Sequence, residues 1–303
     1  MNRITRLTIS AAAAALTLSL SAFGTLTELK PLNPSSLSDS SSSSKADSSS
    51  ADSSSDDESS QQEKSDDSSE EKPDSKEESS SEIVETVAED GVTLSNDSSD
   101  FVLLSEAVPD AILEMRYYST YNFVGERIDG YEEPVAFLTK EAADALKEVS
   151  DELKEQGYRL KIYDAYRPQS AVDHFIRWAQ DSDDTKMKDY FYPDLDKESL
   201  FPEGYAHSGN SRGSTVDVTL FDVSTQKDVD MGGTFDYFGE ISRSDYVYIT
   251  EEQYANRELL ANAMKNHGFE QNAEEWWHFT LSDEPFTDTY FTFPVNSDSA
   301  VKN

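Results

Sequence analysis

Residues 274–279 read Glu-Glu-Trp-Trp-His-Phe, near the C-terminal end of this 303-residue chain. They place the Glu275 carboxylate and the His278 imidazole three residues apart. Zinc binds both kinds of donor, and a carboxylate near a metal-bound water can accept its proton. We predict a strand over 276–281, in which positions i and i+3 face opposite sides, so the two groups share a site only if the chain bends at the tryptophan pair. A buried aromatic strand with one hydrogen-bonded histidine is the alternative.

A second polar position lies upstream in an alternating apolar pattern. Residues 214–220 predict a strand with aliphatic side chains on one face and Asp217 between two threonines on the other. Burying a carboxylate among such neighbours is costly unless it is paired or bound to a cation. Asp217 is therefore a candidate metal ligand, and a structural ion pair with Arg212 is the alternative.

A third candidate group, residues 164–169, ends a strand predicted over 158–166. Arg167 keeps its proton, and its planar fork suits a carboxylate or an oxyanion. Asp164 is placed to hold that fork. A strand-end salt bridge without further role is the alternative.

The surrounding pattern indicates helices mixed with these strands. Thr139 begins a helix that Gly157 ends, residues 171–179 predict a second, and Thr250 begins a third that Gly268 ends. We therefore predict an α+β fold: a single domain with a central, mostly antiparallel sheet flanked by helices, preceded by a disordered tail.

Composition restricts the chemistry. The chain has 25 Lys and Arg against 61 Asp and Glu, a formal net charge of −36, which excludes binding to a phosphate backbone. It has no cysteine, so thiolate chemistry and disulfides are excluded. Four histidines are the complete set for imidazole chemistry.

The chain divides into four segments. Residues 1–24 combine a basic start, an apolar run and small residues at a cleavage position, which predicts a signal peptide and a secreted or cell-envelope location; an uncleaved membrane anchor is the alternative. Residues 25–97 are rich in Ser, Asp and Glu and predict a disordered linker, either a stalk or a solvated tail. Residues 98–296 form the predicted domain, and 297–303 a tail.

Taken together, these motifs closely resemble the zinc D-alanyl-D-alanine dipeptidases over nearly the whole predicted domain. The resemblance rests on five groups of residues: Met115-Arg116-Tyr117, Asp164-Ala165-Tyr166-Arg167-Pro168, Ser211-Arg212-Gly213-Ser214 with Asp217, Phe235-Asp236, and Glu275-Trp276-Trp277-His278. It implies one zinc ion per chain, with Asp217 and His278 as ligands, Glu275 as the catalytic base and Arg167 stabilising the tetrahedral transition state. It also places Ser208 near the substrate amine, and we group Asp164 with it as substrate-binding.

One position departs from the family pattern. The family has a zinc-binding histidine directly before Ser-Arg-Gly, and this chain has Asn210. Asparagine is a poor zinc ligand compared with imidazole. We expect His207 to replace it if the loop doubles back at Gly209; otherwise two protein ligands hold zinc weakly or catalysis is lost.

The expected function is hydrolysis of D-alanyl-D-alanine in peptidoglycan metabolism by an exported zinc peptidase. The expected partner is a small D-amino-acid dipeptide or wall peptide, with no nucleic acid and no obligate protein partner. Two alternatives remain: a D,D- or L,D-carboxypeptidase acting on longer wall peptides, and a catalytically degenerate binder of wall peptides, which Asn210 motivates.

Overall fold

The computed structural model describes residues 82–201 and 204–300. Its strands are β1 (Glu85–Val87), β2 (Thr93–Ser95), β3 (Phe101–Leu103), β4 (Ile112–Leu113), β5 (Phe137–Thr139), β6 (Tyr158–Asp164), β7 (Thr215–Asp222), β8 (Lys227–Asp228), β9 (Phe269–Gln271), β10 (His278–Leu281) and β11 (Thr289–Phe291). Its α-helices are α1 (Leu104–Ala107), α2 (Lys140–Glu155), α3 (Gln169–Gln180), α4 (Lys188–Phe191) and α5 (Glu251–Asn266).

Six strands form the central sheet, in the order β4-β6-β7-β10-β9, with β8 paired to β7. The β4–β6 pair is parallel, and the other pairs in this sheet are antiparallel. Helix α2 packs against β6, α5 packs against β9, and the two helices contact each other. The predicted α+β fold with a central, mostly antiparallel sheet is confirmed.

Strand β7 is buried on both faces. Its aliphatic face, with Val216 and Val218, is fully buried, and Asp217 on the opposite face is only 1% exposed. The predicted alternation is therefore present, but the polar face is covered by protein instead of solvent. Because a buried carboxylate is costly when it stands alone, Asp217 needs partners inside the fold.

The predicted helix ends are found in the structure. The Thr139 side chain accepts a hydrogen bond from the Ala142 amide at the start of α2, and Thr250 forms a capping box with Gln253 at the start of α5. Gly157 and Gly268 follow the two helices with φ of +89° and +88°, a conformation that favours glycine.

The strand predicted from Trp276 begins two residues later, at His278. The Trp276 amide donates instead to Ser242 O, and the Trp277 carbonyl accepts from the Val218 amide. These bonds hold residues 275–278 in a turn, closed by a hydrogen bond of 3.3 Å from His278 N to Glu275 O. The chain therefore bends at the tryptophan pair, which brings Glu275 and His278 to one side.

The predicted disorder of residues 25–97 is wrong for residues 82–97. There β1 and β2 form an antiparallel hairpin, and β2 also pairs in parallel with β11. The pairing with β11 gives this hairpin a third strand from a distant part of the sequence. The predicted signal peptide and the rest of the predicted linker lie outside the described residues. No helix in the described ranges is long and apolar enough to cross a membrane.

The predicted C-terminal tail, 297–303, is also partly structured. Residues Ser297–Ser299 form a short 3₁₀ helix. The Ser98 hydroxyl donates a 2.7 Å hydrogen bond to Ser299 O, which ties this turn to the start of the domain. Residues 301–303 lie outside the described part of the chain.

Candidate active site

Strands β7 and β10 place Asp217 and His278 directly opposite each other in the antiparallel ladder. Directly opposite side chains lie on the same face of a sheet. His278 Nδ1 and Asp217 Oδ1 are 2.9 Å apart, yet Oδ1 is buried and accepts no well-aligned hydrogen bond. Two atoms that each lie about 2.1 Å from one tetrahedral zinc ion are themselves about 3.4 Å apart. This pair is therefore somewhat closer than two ligands of one ion, and a small separation of the side chains would give that spacing.

Glu275 joins this pair through the turn before β10. Its Oε2 lies 3.4 Å from His278 Nδ1. Burial raises the pKa of Glu275 in spite of the neighbouring His278 and Arg167. Burial opposes the charged imidazole of His278, but the adjacent Asp217 outweighs it and raises the pKa of His278. A carboxyl group with a raised pKa beside an imidazole is suited to accept and return a proton.

Arg167 follows β6 and connects the carboxylates of two strands. Its Nε donates to Asp164 Oδ2 at 2.9 Å, its Nη2 to Asp217 Oδ2 at 3.3 Å and its Nη1 to Ser208 Oγ at 3.3 Å. The guanidinium also lies over the Tyr117 ring, 5.0 Å from its centre. These contacts fix the fork in one orientation.

Asp164 lies behind Arg167. It is fully buried, receives a 2.6 Å hydrogen bond from the Tyr131 hydroxyl and does not line the cavity described below. The Asp164 side chain supports the guanidinium, and its predicted role in substrate binding stays a prediction. Ser208 does line the cavity.

Asn210 lies beside the Asp217 carboxylate. It belongs to a short 3₁₀ helix, Gly209–Arg212, and is fully buried. Its Nδ2 donates to Asp217 Oδ2 at 3.3 Å and to Ala165 O at 3.2 Å, and its Oδ1 accepts from Ser208 Oγ at 3.2 Å. The amide nitrogen, which cannot bind a cation, therefore faces the proposed ligand.

His207 lines the same cavity, but its ring nitrogens face other partners. Nδ1 lies 2.8 Å from Gln169 Oε1, and Nε2 lies 2.9 Å from Asp90 Oδ2. The ring stacks on Tyr290, with centres 4.5 Å apart. This arrangement does not bring His207 into contact with Asp217 or His278, and its role as a zinc ligand stays a prediction.

Asp236 is a candidate functional residue to which the sequence analysis assigned no role. It lines the cavity, has φ of +60° and accepts a 3.2 Å hydrogen bond from the Tyr117 hydroxyl. Its Oδ2 is buried without a partner, and burial raises the pKa of Asp236 well above its ordinary value. The signal available in the sequence was a single acid between Phe235 and Tyr237.

The cavity that these groups line has a volume of about 290 Å³. This is near the lower end of the about 300–1,000 Å³ typical of small-ligand clefts. The lining also includes four phenylalanines, Phe123, Phe175, Phe201 and Phe238. The size and lining suit a small polar ligand with short apolar groups.

Two of the three protein ligands that a catalytic zinc ion needs are present in the site. Catalytic zinc sites use three protein ligands and leave one position for water. Asp217 and His278 supply two donors, but the third position holds the Asn210 amide. Among residues 82–201 and 204–300, no group of three or more His, Cys, Asp or Glu side chains is arranged to hold a metal ion. A three-ligand zinc site is therefore incomplete in this arrangement.

Comparison with known proteins places this geometry in a family. The Peptidase_M15 family, described as D-ala-D-ala dipeptidase, matches residues 97–296. A D-alanyl-D-alanine dipeptidase of Enterococcus faecalis is 39% identical over 198 residues, covering 65% of this chain and 98% of that protein. One from Streptomyces coelicolor is 38% identical over 200 residues, covering 65% and 99%.

A solved structure of the LdcB LD-carboxypeptidase covers 62% of this chain and 70% of its own at 18% identity. Its TM-score of 0.33 is too low to establish a shared fold. The family match, by contrast, spans most of the described residues and every candidate site residue named in the sequence analysis. The chain belongs to the D-ala-D-ala dipeptidase family of peptidases, Peptidase_M15.

Proposed function

We propose that this protein is an exported, zinc-dependent hydrolase of small D-amino-acid dipeptides, D-alanyl-D-alanine or a close analogue, in peptidoglycan metabolism. The observation that carries the proposal is the juxtaposition of Glu275, His278 and Asp217 beside a small cavity. Family membership supports peptide hydrolysis, and the names of the relatives support the dipeptide. Zinc, when bound, would supply a polarised water.

The substrate amine is best accommodated by Asp236. A dipeptide carries a free ammonium group, and Asp236 offers a buried oxygen without a partner. An ammonium with three donors can bond both to this carboxylate and to the Ser208 or Tyr117 hydroxyl. Because a longer wall peptide has no free amine at this point, pairing with Asp236 favours the dipeptide over a pentapeptide.

Glu275 is the proton acceptor in this proposal. As water attacks the scissile carbonyl carbon, Glu275 takes one proton, and it returns that proton to the leaving nitrogen when the C–N bond breaks. Its raised pKa makes the carboxylate a stronger base, which favours the step in which it takes the proton. Arg167 donates to the oxygen on which negative charge develops, an interaction that is strongest in the transition state.

A paired substitution tests the catalytic assignment. Purified protein with added zinc should release D-alanine from D-Ala-D-Ala, and Glu275→Gln should lose this activity. Glu274→Gln is the matched control, because Glu274 is adjacent but exposed and paired with Arg243. Equal activity in the two variants would remove Glu275 from its role. Parallel assays with a pentapeptide test the preference for the dipeptide.

Export rests on the N-terminal pattern of residues 1–24. N-terminal sequencing of the protein from an expressing culture tests it, with cleavage after Gly24 expected. A chain that retains Met1 in the cytoplasm would contradict the proposal, and one that retains it in the membrane fraction would identify the segment as an anchor.

A second function, binding of wall peptides without cleavage, is favoured by Asn210. Its amide nitrogen bonds to Asp217 Oδ2, which Arg167 also contacts, so protein groups already occupy one of the two carboxylate oxygens without a metal ion. Zinc titration by calorimetry separates the two functions. Stoichiometric binding by the unmodified protein supports the hydrolase, whereas binding gained only in Asn210→His supports the non-cleaving binder.

A further inference from the structure

The β1–β2 hairpin contacts the cavity wall through one side chain. Asp90 lies in the turn of this hairpin, and its Oδ2 is 2.9 Å from Nε2 of the cavity-lining His207. The family match begins at residue 97, so the hairpin lies outside it. A hydrogen bond from the Val92 amide, together with the contact to His207, lowers the pKa of Asp90, which keeps the carboxylate charged.

The hydrogen-bond partners of His207 fix the orientation of its ring. Gln169 Nε2 donates to Ala206 O at 2.7 Å and to Asp173 Oδ1 at 3.0 Å, which turns Gln169 Oε1 toward His207 Nδ1. Nδ1 therefore faces a carbonyl oxygen and Nε2 faces a carboxylate. Since a carboxylate only accepts hydrogen bonds, the contact with Asp90 is one that Nε2 donates.

Among the described residues that line the cavity, the one Lys or Arg side chain is already paired. Among its described lining residues, Arg167 is bonded to two buried carboxylates, and His278 contacts Asp217. Residues 83–303 carry 45 acidic and 18 basic side chains, so the surrounding field repels an anionic group. The carboxylate that pairs with His207 is easier to displace than the buried carboxylates that hold Arg167. The Asp90 side chain is 47% exposed and lies in a hairpin turn.

We propose that His207 binds the C-terminal carboxylate of the dipeptide, and that Asp90 occupies this position when no substrate is present. The inference rests on the proposed dipeptide substrate. Exchange of one carboxylate for another leaves the hydrogen bond from Nε2 intact, so the displacement of Asp90 requires only a movement of its side chain or turn. The hairpin then acts as a built-in competitor that weakens substrate binding, and His207 is a specificity residue instead of a zinc ligand.

Calorimetry in the Glu275→Gln background tests this without turnover. The ligands are D-Ala-D-Ala and its C-terminal amide, which has the same size and no carboxylate. We expect the acid to bind about tenfold more tightly than the amide, because a hydrogen bond to a charged group is at stake. His207→Gln should remove this preference. Asp90→Ala should tighten binding of the acid severalfold and leave the amide unchanged.

The control for Asp90→Ala is Glu89→Ala, which removes the same charge from an exposed neighbour in the same turn. Circular dichroism establishes that each variant is folded. Equal binding of acid and amide by the background protein overturns the inference and leaves the proposed function standing. Equal tightening by Glu89→Ala and Asp90→Ala also overturns it, as does loss of zinc binding in His207→Ala. If neither dipeptide form binds, the proposed function fails and the inference fails with it.

Discussion

The candidate site has a strand side and a loop side, and the two are built differently. Asp217 and His278 lie on paired strands, where the ladder register alone determines that they face each other. Residues 207–210 lie on a loop and a 3₁₀ helix, where no ladder fixes the side chains. The strand side keeps the two donors that the family resemblance implies, and the loop side is where this chain departs from it. Change at such a site is therefore easiest where the backbone is least constrained.

Arg167 connects the two sides, so its replacement should have the largest effect. Arg167→Lys keeps the positive charge but cannot bond Asp164, Asp217 and Ser208 together. We expect kcat for dipeptide hydrolysis to fall by about 10²–10³-fold, the size seen when an oxyanion donor is lost. Arg243→Lys, at an exposed ion pair, is the control. An increase in KM with an unchanged kcat would show that Arg167 acts in ground-state binding only.

Gly213 determines how the loop side enters β7. Its φ is +86°, and a Cβ at this position would lie 2.2 Å from the Phe101 ring. Gly213→Ala should lower the free energy of unfolding by about 2–3 kcal/mol, through backbone strain and overpacking. Gly157→Ala has nearly the same φ, +89°, with open space around the new methyl group, and should cost about 1 kcal/mol. Equal losses in urea unfolding would show that crowding at Phe101 is unimportant.

Replacement of Asp236 tests whether this cavity-lining carboxylate binds the substrate amine. Asp236→Asn keeps the shape of the side chain and removes the charge, so KM for the dipeptide should rise about tenfold with a smaller change in kcat. A change in kcat alone would contradict amine binding.

The same residue predicts a pH dependence. Burial raises the pKa of Asp236 well above its ordinary value, so its carboxyl group keeps a proton to higher pH than an exposed aspartate does. Pairing with an ammonium requires the carboxylate, so binding releases a proton wherever the free carboxyl group is protonated, and it tightens as the pH rises toward the pKa of the dipeptide amine, about 8. Calorimetry in buffers of different ionisation enthalpy measures this proton, and Asp236→Asn should abolish its release.

Arg212 should have the smallest effect. It holds the 3₁₀ helix of the loop side through two hydrogen bonds to Glu284, of 2.9 and 2.7 Å. Arg212→Lys retains one ion pair. We expect it to lower the free energy of unfolding by about 0.5–1 kcal/mol. Zinc affinity should be unchanged, because Arg212 reaches no candidate ligand. A large change in zinc affinity would show that this turn positions the metal donors.

Much of the strand side could be predicted from sequence. An acid between threonines in an apolar strand, and an imidazole and a carboxylate around a tryptophan pair, are local patterns with a chemical meaning. The bend at that pair, which was the condition for Glu275 and His278 to share a site, is present in the structure, with a hydrogen bond between the two residues. The helix ends could also be predicted from sequence, because a capping threonine and a closing glycine act within one turn of the helix.

The remainder depends on contacts between distant residues. Asp236 becomes informative only when its neighbours enclose it and leave one oxygen without a partner. The hairpin at residues 85–95 has Val87, Val92 and Leu94 around an Asp90-Gly91 turn, a local hairpin signal that the expectation of a disordered linker overlooked. Its pairing with β11, about two hundred residues later, has no local signal.

The pairing of β2 with β11 also has a consequence for the order of assembly. In this three-stranded sheet, β2 is the middle strand, with β1 on one side and β11 on the other. A two-stranded hairpin is marginally stable on its own. The hairpin that carries Asp90 therefore becomes stable only after residue 291 has been synthesised. A chain truncated before β11 would leave β2 with an open edge, available for pairing with another molecule.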